Sequence, residues 1–460
     1  MSIRAADTPL TLRFDRGTLV LEGRCAPAEL APFEQDARSN TLRAPAHRYV
    51  DCVRSLARIG ATYKDEARAY QTLDTRADAL PVARPYQAEA LAAWLAAKSR
   101  GVVVLPTGAG KTQLAKMAIH TKQRSTLVVV PTLNLVGQWH NELHTAFGTE
   151  IGVLGGGSHS LQPITITTYD SAYLHADRIG DRWGLVVFDE CHHLPGASYA
   201  HAAQSLLAPF RLGLTATPER TDGRHALTDE LCGPVVYQKH ITELSGEFLA
   251  DYYTEILDFD LNDEEARAYE DARALYKQFV QSRGITMRSP SDWSQFVKLA
   301  STSAEGRAAM EGFRRSRTLA FGAEAKLAFC GQLLADHPND KAIFFTQDNH
   351  TARRISQQFL VPLITHETKV AERMAILKGL TDGTYAAVVT SKVLNEGVDV
   401  PEASLAVVVS GSGSVREHVQ RLGRILRRKE GKVATLYELV TRATVEGRTS
   451  ERRREHDAYR

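Results

Sequence analysis

The stretch Gly101-Val-Val-Val-Leu-Pro-Thr-Gly-Ala-Gly-Lys-Thr112 constrains this chain more than any other. It begins as a short apolar run, which reads as a buried strand, and turns through Gly108 and Gly110. It continues into Gln113-Leu-Ala-Lys-Met-Ala-Ile-His120, whose apolar spacing is helical. Glycines let backbone N–H groups converge on phosphate oxygens, and the start of a helix adds partial positive charge. Thr107, Gly108, Ala109 and Gly110 therefore form a candidate cradle for a nucleoside triphosphate such as ATP. Lys111 is placed to reach the β- and γ-phosphates, and the Thr112 hydroxyl to ligate Mg2+. The full pattern has Gly six residues before Lys111, where Leu105 stands. Over this stretch alone, a glycine turn in an ordinary α/β protein would look the same.

A chain of 460 residues leaves room for about three domains. The net charge of +2 gives no global pull towards nucleic acid, so any basic surface must be local. Cys25, Cys52, Cys191, Cys232 and Cys330 are scattered without metal-ligand or redox spacing. They read as reduced thiols and exclude a four-cysteine iron–sulfur cluster. No apolar run is long enough to span a membrane, and Met1 to Asp15 lacks the apolar centre of a signal peptide. The expectation is a cytoplasmic location with no membrane partner.

Residues 1–80 read as a separate small α/β module. Leu10-Thr-Leu-Arg-Phe14 and Thr18-Leu-Val-Leu-Glu22 alternate around Asp15-Arg-Gly17, a hairpin signal. Thr41 to Pro45 can add a strand, and Tyr49 to Leu56 has helical spacing. Arg24, Arg38, Arg43, His47 and Arg48 can face phosphates or simply form a solvated face. After this module, Arg84-Pro-Tyr-Gln87 precedes a helix. A Gln on a loop ahead of the phosphate-loop strand can offer both donor and acceptor to an adenine edge, with Arg84 beside it.

Strands and helices then alternate. Thr126 to Val130, Ile164 to Tyr169 and Leu185 to Phe188 read as buried strands, and the last delivers Asp189-Glu-Cys-His-His193. Ligands bind at the carboxyl ends of strands in an open parallel sheet, so the phosphate loop and this acidic pair can face one site. Asp189 is placed to hold Mg2+ through water, and Glu190 to orient and deprotonate the attacking water. His192 would couple the nucleotide site to the rest of the motor. Arg211 to Leu214 makes another strand, ending in Thr215-Ala-Thr217.

Leu105 to Thr112, Asp189 to His192 and Thr215 to Thr217 resemble motifs I, II and III of superfamily two helicases. Those enzymes commonly lack the first glycine, so Leu105 fits. Arg84 to Gln87 resembles their adenine-reading element. Lys341 to Phe345 resembles motif IV, Val388 to Ser391 with Asn395 to Pro401 motif V, and Gln420 to Arg427 motif VI. Within the superfamily, Phe188 to Pro195, Ala208 to Thr217 and Ser410 to Arg427 look like the XPB family, especially its short archaeal and bacterial members. The resemblance implies two RecA-like parallel-sheet domains in tandem. It places an N-terminal DNA-damage recognition module at 1–80, helicase domain 1 at 81–245, and helicase domain 2 at 246–460 with a helical thumb at about 262–318. It further implies a monomeric ATP-dependent DNA helicase with 3′–5′ movement, a role in repair and a nuclease partner.

The resemblance gives the remaining motif residues roles. Hydrolysis needs positive charge on the transferring phosphoryl group. Arg424 and Arg427, three apart and so on one helical face, would supply it as arginine fingers beside Lys111. Gln420 would order the water or the γ-phosphate. Gly397 and Asp399 would approach the ribose from the second domain. Pro131, Thr132, Thr168 and Thr390 are the expected contacts to DNA phosphates, with little sequence specificity. Trp293, Phe296 and Phe313, interleaved with arginines, suit a DNA-gripping thumb or a plain structural insertion. Two departures stand out. Cys191 replaces the family's usual Val, a small apolar change. Arg220-Thr-Asp222 replaces the family's Arg-Glu-Asp, an element implicated in opening duplex DNA. The missing carboxylate at Thr221 keeps open a translocase that pumps duplex without separating it. A damage-binding module with its ATPase acting only as a clamp is the other alternative.

Overall fold

The structure, a computed structural model, describes residues 10–23, 30–76, 80–217, 225–245, 248, 251–287, 289–391, 403–411 and 433–454. They fall into one unit up to His240 and a second from Ile241 onward.

In the first unit, β1 (Leu10–Asp15) and β2 (Thr18–Glu22) pair antiparallel, closing at Asp15 opposite Thr18. Arg16 and Gly17 both take positive φ, 48° and 77°, the requirement of a tight turn matched to strand twist. With β3 (Glu34–Asp36), β4 (Thr41–Pro45) and β5 (Tyr63–Glu66) they form a sheet ordered β3-β4-β2-β1-β5. Helix α1 (Tyr49–Arg58) lays Tyr49, Cys52 and Leu56, one stripe of its surface, into the core. That core also takes in Leu207 from beyond the module. Backbone bonds from Ala69 N–H to Asp181 and from Leu73 N–H to Gln123, 3.1 and 3.0 Å, add to the attachment. The module is thus seated on the first sheet domain, where the sequence reads as a separate body. Its basic residues also differ from the phosphate-facing expectation. Arg43 pairs with Asp15 and Asp36, Arg38 with Asp36, and Arg48 with Asp51. His47 is buried, and Arg24 lies outside the described residues.

The first sheet domain contains α2 (Pro85–Ala96), β6 (Arg100–Val104), α3 (Lys111–Lys122), β7 (Thr126–Val130) and α4 (Leu133–Phe147). It continues through β8 (Gly152–Gly155), β9 (Ser158–His159), β10 (Ile164–Thr168), α5 (Tyr169–Ile179) and β11 (Leu185–Asp189). It closes with α6 (Ala197–Ser205), β12 (Phe210–Thr215), α7 (His225–Cys232) and β13 (Val235–Gln238). The strand order is β13-β6-β12-β11-β7-β10-β8-β9, parallel except for β8–β9. Every residue of β7, β10 and β11 is buried, because helices cover both faces of such a sheet. Among the described residues Arg211 is buried without a carboxylate partner and donates instead to the carbonyls of Ala203, Leu206, Ala208 and Leu231. It thereby satisfies orphan carbonyls near the ends of α6 and α7. Cys191 is an apolar filler: with Cys232 and Val102 it crowds Gly213, where an added Cβ would lie 3.0 Å from its sulfur.

The second unit opens with the short α8 (Ile241–Leu244) and β14 (Asp251–Phe259). Three helices follow: α9 (Asp263–Ser282), α10 (Pro290–Thr302) and α11 (Ala304–Phe321). Each starts on a side-chain cap, Asn262, Ser289 and Ser303. The thumb aromatics pack on one another here. Phe296 is fully buried, and Trp293, Tyr276 and Phe313 meet it or each other at centroid distances of 5.0–6.4 Å. They pack on one another within this insertion, with Phe296 at the centre and Trp293, 38% exposed, offering the most surface. Then come α12 (Glu324–Asp336), β15 (Ala342–Thr346), α13 (Asn349–Phe359), β16 (Leu363–Ile364), α14 (Val370–Asp382), β17 (Ala387–Ser391), β18 (Leu405–Val408) and β19 (Val433–Thr441), before a terminal helix Val445–Arg454. The sheet order is β14-β19-β18-β15-β17-β16, parallel throughout. No helix among the described residues is long and apolar enough to cross a membrane.

Candidate nucleotide site

Sheet topology brings the phosphate loop and the acidic pair together. β12 lies between β6 and β11, so Thr215 ends beside both. Leu105 N–H donates to the Thr215 carbonyl at 3.0 Å. Gly108 and Gly110 have φ of 85° and 80°, left-handed values that explain the two glycines. Gly110 caps α3, so the helix opens on Lys111 and Thr112.

The loop is held from α2. Tyr86 donates to the Ala109 carbonyl at 2.7 Å, and Gln87 Nε2 donates to the same carbonyl at 3.1 Å. Gln87 Oε1 accepts the Arg84 N–H at 3.0 Å. A Cβ on Gly110 would stand 2.4 Å from Gln87 Nε2. Gln87 is therefore a buried first-turn residue of α2, where the sequence reads it as lying on a loop. Both ends of its amide engage the protein, so adenine reading would be tied to the shape of the phosphate loop.

Lys111 Nζ donates to Glu190 Oε1 at 3.2 Å. Glu190 Oε2 lies 3.3 Å from His192 Nδ1, which is also 3.1 Å from the Thr215 hydroxyl. His192 thereby joins the acidic pair to the end of β12. Burial opposes the charge on Glu190, but Lys111 and then His192 hold its carboxyl well below the usual range. Asp189 goes the other way. Burial, then the charge of Glu190, pushes it above the usual carboxylate range against Lys111 and the Trp139 hydrogen bond. A neighbouring pair with carboxyls displaced in opposite directions is a common arrangement at catalytic sites.

These residues fit a nucleoside triphosphate with Mg2+. The start of α3, two left-handed glycines and an ammonium group make an anion cradle, and Thr112 with Asp189 supplies hard oxygen donors. The Thr107 and Thr217 hydroxyls are buried without a hydrogen-bond partner among the described residues, two polar atoms at this edge that the protein itself leaves unsatisfied.

Two residues here escape a sequence reading. Trp139 on α4 donates its indole N–H to Asp189 Oδ2 at 3.0 Å. Tyr169 on α5 donates its hydroxyl to the Asp189 carbonyl at 2.9 Å. The only signal is that a Trp and a Tyr, when buried, need a partner for their polar tip; Tyr169, which the sequence reads as the end of a strand, is instead the first residue of α5.

The expected DNA contacts divide. Pro131 and Thr132 follow β7, and Thr168 ends the neighbouring β10 opposite Val130, so all three gather at one sheet edge. Thr132 caps α4 by accepting from Leu135 N–H, and Thr168 caps α5 by accepting from Ser171 N–H. Thr390 sits at the equivalent end of β17 in the second unit, its hydroxyl buried and without a hydrogen-bond partner among the described residues. Arg220, Asp222, Gly397, Asp399, Gln420, Arg424 and Arg427 lie outside the described residues.

Three family models match the chain. They are the xeroderma pigmentosum group B helicase damage recognition domain over 12–67, the type III restriction enzyme res subunit over 81–220, and the ERCC3/RAD25/XPB C-terminal helicase over 309–457. A DNA 3′–5′ translocase named XPB2 from Sulfurisphaera tokodaii is 41% identical over 425 residues, covering 90% of this chain and 96% of the relative. The chain belongs to the XPB family of helicases. Another XPB relative, a DNA 3′–5′ helicase of Mycobacterium tuberculosis, is 31% identical over 79% of this chain and 61% of its own. The Hef helicase domain of Pyrococcus furiosus matches in fold, with a TM-score of 0.52 at 18% identity over 80% of this chain and 97% of that one. An XPB assignment accounts for the tandem RecA-like sheets and for the module seated on the first.

Proposed function

We propose that this chain is an ATP-driven motor on DNA, moving 3′–5′ and opening the duplex. The observation that supports its ATP-hydrolysing part is the Lys111–Glu190 bond at the mouth of the phosphate loop, with Asp189 raised and Glu190 lowered beside it. The names of the XPB relatives, translocase and helicase, agree with it. The N–H groups of residues 107–110 with Lys111 would hold the phosphates, Arg84 and Gln87 the base, and Thr112 with Asp189 a Mg2+ ion. That ion, when bound, neutralises phosphate charge. Glu190 is the base that orients and deprotonates water. Pro131, Thr132 and Thr168 grip the phosphate backbone, so affinity is insensitive to base sequence and falls with salt. We further assign the chain to DNA repair, as a cytoplasmic monomer working with a nuclease.

Strand displacement on duplexes with a 3′ or a 5′ tail tests this reading. ATP-dependent release from the 3′-tailed substrate is the expected result, and release from neither overturns duplex opening. Thr221, with no carboxylate in the position where XPB enzymes carry Glu, favours the second reading, translocation along duplex without separation. ATP-dependent displacement of a bound triplex-forming strand without duplex opening is its signature.

A further inference from the structure

Two buried aromatic residues reach Asp189 from helices whose caps are the expected DNA contacts. Trp139 is 2% exposed, and its indole N–H, a donor with no acceptor capacity, goes to Asp189 Oδ2. Tyr169 is equally buried, and its hydroxyl holds the Asp189 carbonyl. Thr132 caps α4, and Trp139 lies seven residues on, close to two turns along the same helix. Thr168 caps α5, and Tyr169 is the first residue of that helix. The two caps stand at the ends of neighbouring strands, Thr132 just after β7 and Thr168 closing β10, and β11, which ends in Asp189, flanks β7 on its other side. One carboxylate is therefore fixed through its side chain by α4 and through its backbone by α5. Glu190, the next residue, is held at φ 49°, so a small shift of Asp189 moves the base as well.

We propose that Trp139 and Tyr169 are positioning residues that couple DNA contact at Thr132 and Thr168 to the orientation of Asp189, so that DNA tightens binding of Mg2+–nucleotide. This rests on the DNA-motor reading above. A rigid helix moves as a unit, so a phosphate engaging the first turn of α4 or α5 displaces the aromatic group on it. The coupling is reciprocal: nucleotide must tighten DNA binding by the same factor that DNA tightens nucleotide binding. A Trp that served only to fill space would leave that factor untouched when replaced by Phe.

The test uses the full chain, a fluorescent non-hydrolysable ATP analogue with Mg2+, and a labelled tailed duplex. Each Kd is measured alone and with the other ligand saturating. The wild type is expected to show a coupling factor of about fivefold or more, equal in both directions. Trp139→Phe is expected to bring it below about twofold, with each ligand still bound. Tyr169→Phe, which removes one oxygen and keeps the ring, is expected to lower it too and carries the test should Trp139→Phe not fold. Full coupling in the folded Phe variants, or a wild-type factor of one, overturns the relay alone. Failure of the wild type to bind nucleotide or DNA overturns the motor reading and the relay with it.

Discussion

Glu190 occupies a backbone region that few residues other than glycine adopt, with φ 49° and ψ 52°. The ion pair to Lys111 and the contact to His192 hold it there, a local cost of the kind concentrated at functional sites. None of this was legible in Asp189-Glu-Cys-His192, although the chemistry of the two carboxylates was. Sequence spacing names the groups; only folding shows that one is raised and the other lowered. His47 makes the same point. As one basic residue among several it read as a candidate phosphate contact, yet it is 1% exposed, with Nε2 3.5 Å from Glu230. Burial, then Arg211, Arg100 and Arg48, pushes its imidazole down to about 3. An unfolded chain binds a proton near pH 6.5 that the folded chain refuses until near 3. The stability His47 contributes is thus complete above about 6.5 and lost as pH falls, at about 1.4 kcal/mol per pH unit. Thermal melts of His47→Gln between about pH 6 and 4 should show a shallower fall in Tm than the wild type. Parallel curves would mean that the buried imidazole does not contribute.

At the scale of elements, strands buried on both faces were the readable ones. β6, β7, β10, β11 and β12 are apolar runs ended by motif residues, and each formed within a residue or two of its expected bounds. β14 and β19 pair over nine residues but mix charged and apolar side chains, so no run announced them. The two-residue β9 and β16 exist only because neighbours hold them. The α9–α11 aromatics are ambiguous because DNA stacking and core packing ask for the same side chains; folding puts Phe296 in the core and leaves Trp293 38% exposed. A buried ion pair ties other elements of the second unit together. Lys326 on α12 and Glu446 on the terminal helix are 0% and 2% exposed and hydrogen-bonded to each other. Lys326 also donates to the Val409 carbonyl at 2.9 Å, and Glu446 accepts from Thr441 N–H at 3.0 Å. Removing one partner leaves an uncompensated buried charge, so Lys326→Met should cost about 3–5 kcal/mol in urea unfolding. Combining it with Glu446→Leu should recover most of that loss. A double variant as unstable as the single would show that geometry at this junction, and not charge, sets the stability.

For the whole molecule, the sequence carried family and fold class because its motifs recur at chain scale. The match to the Sulfurisphaera tokodaii relative covers 90% of the residues. What it did not carry is the seating of residues 10–73 on the first sheet domain, which depends on Leu207 and a few backbone bonds far away in sequence. The roles proposed for Gly397, Asp399, Gln420, Arg424 and Arg427 rest on motif resemblance, since these residues lie outside the described ones. In the proposed motor, DNA drives the Lys111–Asp189–Glu190 site through turnover after turnover. Steady-state ATP hydrolysis by the full chain, with and without tailed duplex DNA, measures this directly. DNA should raise wild-type turnover, and Lys111→Ala should lower it by about a hundredfold or more while DNA binding survives. Turnover indifferent to DNA, or a Lys111→Ala variant that hydrolyses ATP at the wild-type rate, would contradict the account.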